Sequence, residues 1–74
     1  MCGIFGCVLK DGEAAPLVHQ ALKRLEYRGY DSAGVASVYN GRLFIKKDKG
    51  KIDEVHLELN LDDLPGSTAI GHTR

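Results

Sequence analysis

Cys2 is the residue with the most chemistry open to it. Removal of Met1 would place a thiol and a free α-amine on one residue, and an α-amine, whose ordinary pKa is about 7.7 to 8.0, is partly unprotonated near neutral pH. The amine can take the thiol proton directly or through a water, which makes Cys2 a self-contained nucleophile and base. The alternative is a small apolar side chain at the start of a core strand, a common setting for cysteine. Cys7 has no such amine and reads as a core residue. Arg28 lies in the connection Glu26-Tyr27-Arg28-Gly29-Tyr30-Asp31-Ser32. A guanidinium beside a thiolate lowers the thiol pKa and stabilises developing negative charge; a solvated surface arginine is the other reading. Asp31 and Ser32 suit turn or capping positions better than acid and base roles. His72 and Arg74 stand two apart in the closing run and share one strand face. A planar fork of donors at the end of a strand can hold a carboxylate in bidentate fashion, against the alternative of a frayed terminus.

The elements that must position these residues follow from the pattern of apolar residues. Met1-Cys2-Gly3-Ile4-Phe5-Gly6-Cys7-Val8-Leu9 ends at the turn-like Lys10-Asp11-Gly12 and reads as a buried strand. Cysteines five apart on a strand face opposite ways and lie roughly 16 Å apart, beyond the 7 Å or so that a disulfide tolerates. Cys2 and Cys7 therefore do not pair. Leu17, Val18, Ala21, Leu22 and Leu25 then mark one face of a helix, with Pro16 in its first turn, Lys23 and Arg24 near its C-terminal dipole, a stop near Tyr27 and Gly29 as its cap. Ala33 to Tyr39 and Arg42 to Lys47, joined by Asn40-Gly41, predict an antiparallel hairpin. Ile52, Val55, His56 and Leu59 form a weaker helical face after Gly50, broken by Leu61-Asp62-Asp63-Leu64-Pro65-Gly66. Ser67 to Arg74 reads as a last strand. The order β-α-β-β-α-β fits an α+β unit.

Composition narrows the function. Ten Lys and Arg balance ten Asp and Glu in 74 residues, leaving no basic excess to neutralise phosphates or an anionic membrane surface. Nucleic acid and membrane are not expected partners. The apolar runs fall far short of the roughly 20 residues that span a bilayer, and no signal-peptide core is present, so a cytoplasmic location is expected. At this length one domain is the ceiling. His19, His56 and His72 show no ligand spacing with either thiol, and no metal is expected from them. No Ser-His-Asp arrangement, P-loop or dinucleotide glycine pattern occurs, so no cofactor is expected either.

Together these segments resemble those of a known family. Met1-Cys2-Gly3-Ile4-Phe5-Gly6 resembles the start of the class II glutamine amidotransferases, whose nucleophile is N-terminal. Leu25-Glu26-Tyr27-Arg28-Gly29-Tyr30-Asp31-Ser32-Ala33-Gly34 is similar to the signature of the branch that aminates a sugar phosphate. Gly71-His72-Thr73-Arg74 is similar to the first half of that branch's next motif, which continues with Trp-Ala-Thr-His-Gly. The resemblance runs the length of the chain. It implies the N-terminal portion of an αββα N-terminal-nucleophile sandwich, with residues 1–74 as a partial amidotransferase domain.

On the same resemblance, Cys2 would attack the side-chain amide of L-glutamine, form a glutamyl thioester and release ammonia. Arg28 would sit beside the nucleophile, Arg74 would bind the α-carboxylate of glutamine, and Thr73 would help line that pocket. Tyr30 would lie near the exit of ammonia toward two sugar-isomerase domains, which bind fructose 6-phosphate and make glucosamine 6-phosphate in an enzyme expected to be a homodimer. The family's oxyanion-hole Asn-Gly pair and its acidic anchor for the glutamine amine lie downstream of Arg74. Asn40-Gly41 is a hairpin turn and not that pair. The isolated chain is therefore expected to be an inactive N-terminal fragment, since loss of one oxyanion donor alone costs about 10² to 10³ in rate. Amidophosphoribosyltransferase and asparagine synthetase types also begin Cys-Gly-Ile, and a non-catalytic interaction module stays open beside them. Tyr30-Asp31 and Thr73 fit the sugar-phosphate branch better.

Overall fold

The computed structural model describes residues 3–25 and 32–74. Within them the chain forms β1 (Gly3–Val8), α1 (Ala15–Leu25), β2 (Ser32–Tyr39), β3 (Arg42–Lys49), α2 (Ile52–Leu59) and β4 (Thr68–Thr73). This is the order the periodicity predicts. The strands make one antiparallel sheet in the order β1-β4-β2-β3, so the last strand inserts between the first and second. Registers of Gly3 with Thr73 and of Thr73 with Ala33 set the start of β1, the end of β4 and the start of β2 side by side.

Local chemistry explains the joints. At Asn40-Gly41 both residues have positive φ, 52° and 74°, which is the primed turn whose twist matches the flanking strands. The Glu54 carboxylate accepts the Lys51 N–H at 2.9 Å at the start of α2 and so satisfies one of the donors a helix leaves unpaired. Asn60 ends that helix in the left-handed conformation, its N–H donating to the His56 carbonyl at 2.7 Å. Pro16 sits in the first turn of α1, and Lys23 and Arg24 in its last. The expected stop near Tyr27 and the Gly29 cap lie outside the described residues.

Both helices cover the same face of the sheet, α1 over β1 and β4, α2 over β2 and β3. Val18 and Leu22 of α1 and Ile52 and Val55 of α2 bury against Ala33, Val35 and Ala69, with Leu61 and Leu64 closing the edge. Each fully buried side chain of leucine or valine size contributes about 1.5–3 kcal/mol relative to exposure. The close approach of α1 depends on Gly71, where a Cβ would stand 2.5 Å from Val18 Cγ1 and 2.8 Å from Leu22 Cδ1.

Two expectations need correction. The buried face of α1 is Ala15, Val18, His19 and Leu22, not the stripe through Leu17 and Leu25, which are exposed. Small residues on β4 draw the helix down along its Val18 and Leu22 side, which turns Leu17 toward a shallow groove shared with Phe5, Ala21 and Leu25. Nor is β1 a buried strand: it is an edge strand on which Ile4, Phe5 and Val8 are exposed and only Gly3 and Cys7 are partly covered. Among the described residues it has a neighbour on one side only, and no layer lies over its second face.

Candidate active site

His72, Thr73 and Arg74, the described residues among those singled out for a substrate pocket, lie at one end of the sheet. β1 starts there at Gly3, β4 ends there at Thr73, and β2 starts there at Ser32. Arg74 continues the pairing beyond β4, with its N–H donating to the Ser32 carbonyl at 2.9 Å and its carbonyl accepting the Ser32 N–H at 3.1 Å. This main-chain pair anchors a residue for which a frayed terminus was the alternative reading. Gly3, which opens β1, stands in register with Thr73, the residue before Arg74. Cys2, Arg28 and Tyr30 themselves lie outside the described residues.

The two faces of this end differ. Thr73 is on the helix-covered face and 2% exposed, its Oγ1 only 3.1 Å from where a Cβ on Gly3 would stand. Glycine at position 3 leaves room for that hydroxyl and for Leu25, which lies as close. Arg74 and His72 point instead into an open cleft of about 380 Å³ with Ser32, Lys47, Asp48 and Lys49. The structure thus brings Arg74 and His72 together, as their spacing predicts, and separates Thr73's side chain from them. His72 Nε2 lies 3.1 Å from the position of a Cβ on Gly34, and Lys47 Cβ 2.5 Å from it. Any side chain at position 34 would push the histidine and the lysine apart.

Electrostatically the cleft is a cationic corner. Lys47, Lys49, Arg74 and His72 line it with one acid among the described residues, Asp48, and Arg74 makes no ion pair among the described residues. Such a corner suits a carboxylate, which a guanidinium binds through two parallel N–H donors. Lys47 and Lys49 were not singled out from the sequence. Their signal was the alternation of β3, which puts Leu43, Ile45, Lys47 and Lys49 on one face. Cys7 pairs in register with Ala69, is a free thiol, and packs partly buried against the core. No helix of the described residues is long and apolar enough to cross a membrane.

No protein-family model matches the chain. Curated proteins do, along its full length. The chain is 58% identical over 74 residues to a glutamine–fructose-6-phosphate aminotransferase (isomerizing) of Methanothermobacter thermautotrophicus. It is 55% identical to the proteins of the same name from Pyrococcus horikoshii and Aquifex aeolicus. Each alignment takes in all of this chain and 12% of the relative, so the chain spans about one eighth of the length of the proteins it matches. The matched part is their N-terminal region.

Proposed function

We propose that residues 1–74 are the N-terminal part of a class II amidotransferase domain in an enzyme that takes ammonia from L-glutamine and gives it to fructose 6-phosphate. The observation that supports this most is the match of the whole chain, at 50–58% identity, to the N-terminal regions of enzymes named for that reaction. Antiparallel pairing supports the reading to the extent that it sets Gly3, the residue after Cys2, in register with Thr73, the residue before Arg74.

In this reading Cys2, freed from Met1, uses its own amine to accept the thiol proton. The thiolate attacks the amide carbon of glutamine, the C–N bond breaks, ammonia leaves, and a glutamyl thioester remains for water to hydrolyse. Arg74 holds the substrate's α-carboxylate at the cationic corner, Tyr30 lines the pocket, Thr73, its side chain buried on the covered face, lines it through its main chain only, and Arg28 steadies the thiolate. Downstream parts of the enzyme supply the oxyanion hole, the sugar-isomerase domains and a homodimer interface, in the cytoplasm.

The test is made on the intact protein with Met1 removed. Cys2→Ala abolishes glucosamine 6-phosphate formation from glutamine and leaves synthesis fed by free ammonia, which needs no thiol. Glutamine-dependent synthesis surviving in Cys2→Ala would overturn the proposal. So would an intact enzyme that aminates a phosphoribosyl or aspartyl acceptor and ignores fructose 6-phosphate.

A further inference from the structure

Where α1 meets the turn after α2, beneath the covered face, three side chains gather that the proposed reaction does not use. His19 on α1 is 4% exposed. Its Nδ1 lies 2.8 Å from Asp62 Oδ1, and its Nε2 is buried with no hydrogen-bond partner among the described residues. In the neutral tautomer that donates Nδ1–H to the carboxylate, Nε2 carries a lone pair. Leaving a buried polar atom unsatisfied costs about 1–3 kcal/mol, a cost that an apolar residue at this helix position would avoid. His56 on α2 stands over His19, ring centroids 4.2 Å apart and planes tilted by 37°. Its Nδ1 accepts the Leu61 N–H at 3.1 Å. One ligand atom from each of His19, His56 and Asp62 lies within 4.8 Å of the other two.

We propose that His19, His56 and Asp62 form a binding site for a divalent transition-metal ion of the zinc class. Two imidazoles and a carboxylate are a donor set that suits zinc and cobalt, and three protein ligands leave one position for water. Ligand atoms sharing one tetrahedral ion with bonds of about 2.0–2.2 Å stand about 3.3–3.6 Å apart. Rotation of the His56 and Asp62 side chains must bring the three atoms, now within 4.8 Å of one another, to that spacing. His19 is held in place by its burial in the packed layer. His56 is half-buried and the Asp62 side chain is 42% exposed, which gives the ion an entry path. Binding must displace a proton from the histidine–aspartate pair or the Leu61 N–H from His56, so the affinity falls below that of a preformed structural zinc site. An ion here would tie α1 to the end of α2 and hold together the layer that backs the sheet.

The site is tested on the intact protein carrying Cys2→Ala, which removes a competing thiol, by calorimetric titration with ZnCl₂ and CoCl₂. One saturable equivalent is expected, with a rise in melting temperature and a visible absorption band of bound cobalt. Adding His56→Ala or Asp62→Asn, both at partly exposed positions, is expected to weaken that equivalent at least ten-fold and remove the thermal shift, with the far-ultraviolet circular dichroism unchanged. Titrations that superimpose for all three proteins, or no saturable equivalent in the first, would overturn the proposal.

Discussion

The two faces of the sheet are built from the same four strands and are treated in opposite ways. On the covered face β4 contributes Ala69, Gly71 and Thr73, all buried, and β2 contributes Ala33, Val35 and Ser37, also buried. On the other face Ile4 is 79%, Val8 78% and Ile70 60% exposed, with Leu43, Ile45 and Val38 beside them. Small residues face the helices, so that α1 can approach to van der Waals contact at Gly71, and larger apolar residues face outward. Contiguous apolar surface of this kind marks an interaction surface. In the αββα sandwich that the resemblance implies, its occupant is a second sheet. The cationic corner at Arg74 and His72 opens on this same uncovered side, so the layer that hides Ile70 would also wall the proposed glutamine pocket.

Substitutions on the two faces sharpen that contrast. Leu22→Ala, at the centre of the covered core, is expected to lower stability most, by about 2–5 kcal/mol, read from the first thermal transition of the intact protein. Gly71→Val forces side-chain atoms against Val18 and Leu22 and costs about 1–3 kcal/mol by the same measurement; an unchanged melt would show that α1 does not sit where described. Ile70→Ser separates the faces by setting. In the isolated chain it should change stability by no more than about 0.5 kcal/mol and reduce self-association in sedimentation. In the intact protein it should cost about 1–3 kcal/mol, because the face is then covered; no loss there would mean that the outward face stays bare. Gly41→Ala, far from both faces, strains a residue at φ 74° and should cost about 1 kcal/mol. Cys7→Ala should cost least, about 1 kcal/mol or less, and leave glutamine turnover unchanged.

Most of the fold was legible where a local rule decides it. Asn40-Gly41 names its own turn, Gly50 precedes α2 and the run Leu61 to Gly66 breaks it, and the run Ser67 to Arg74 reads as the last strand. What the sequence could not show was which faces would be covered. The stripe Leu17, Val18, Ala21, Leu22 and Leu25 is the more hydrophobic one, yet α1 rolls onto Val18 and Leu22 because Gly71 admits it there, a contact between residues on distant elements. The insertion of β4 between β1 and β2 is equally non-local, and it is what turns the isolated-looking Arg74 into a neighbour of Ser32. His19 was weighed only against the two thiols for the same reason: its partner Asp62 is 43 residues away, so no spacing motif joins them. Of the candidate catalytic residues, Thr73 and Arg74 could be placed, while Cys2, Arg28 and Tyr30 lie outside the described residues.

The central claim is that Cys2, and not Cys7, is the nucleophile of a glutamine-hydrolysing site. Cys7 lies on the covered face, packed partly buried against the core, where a substrate at the cationic corner does not reach it. The direct measurement is to treat the intact protein, Met1 removed, with an electrophilic glutamine analogue and to map the adduct by mass spectrometry. A single adduct on Cys2, suppressed by excess glutamine and absent from a form that retains Met1, is the expected result. An adduct on Cys7, or equal labelling when Met1 still blocks the amine, would contradict it.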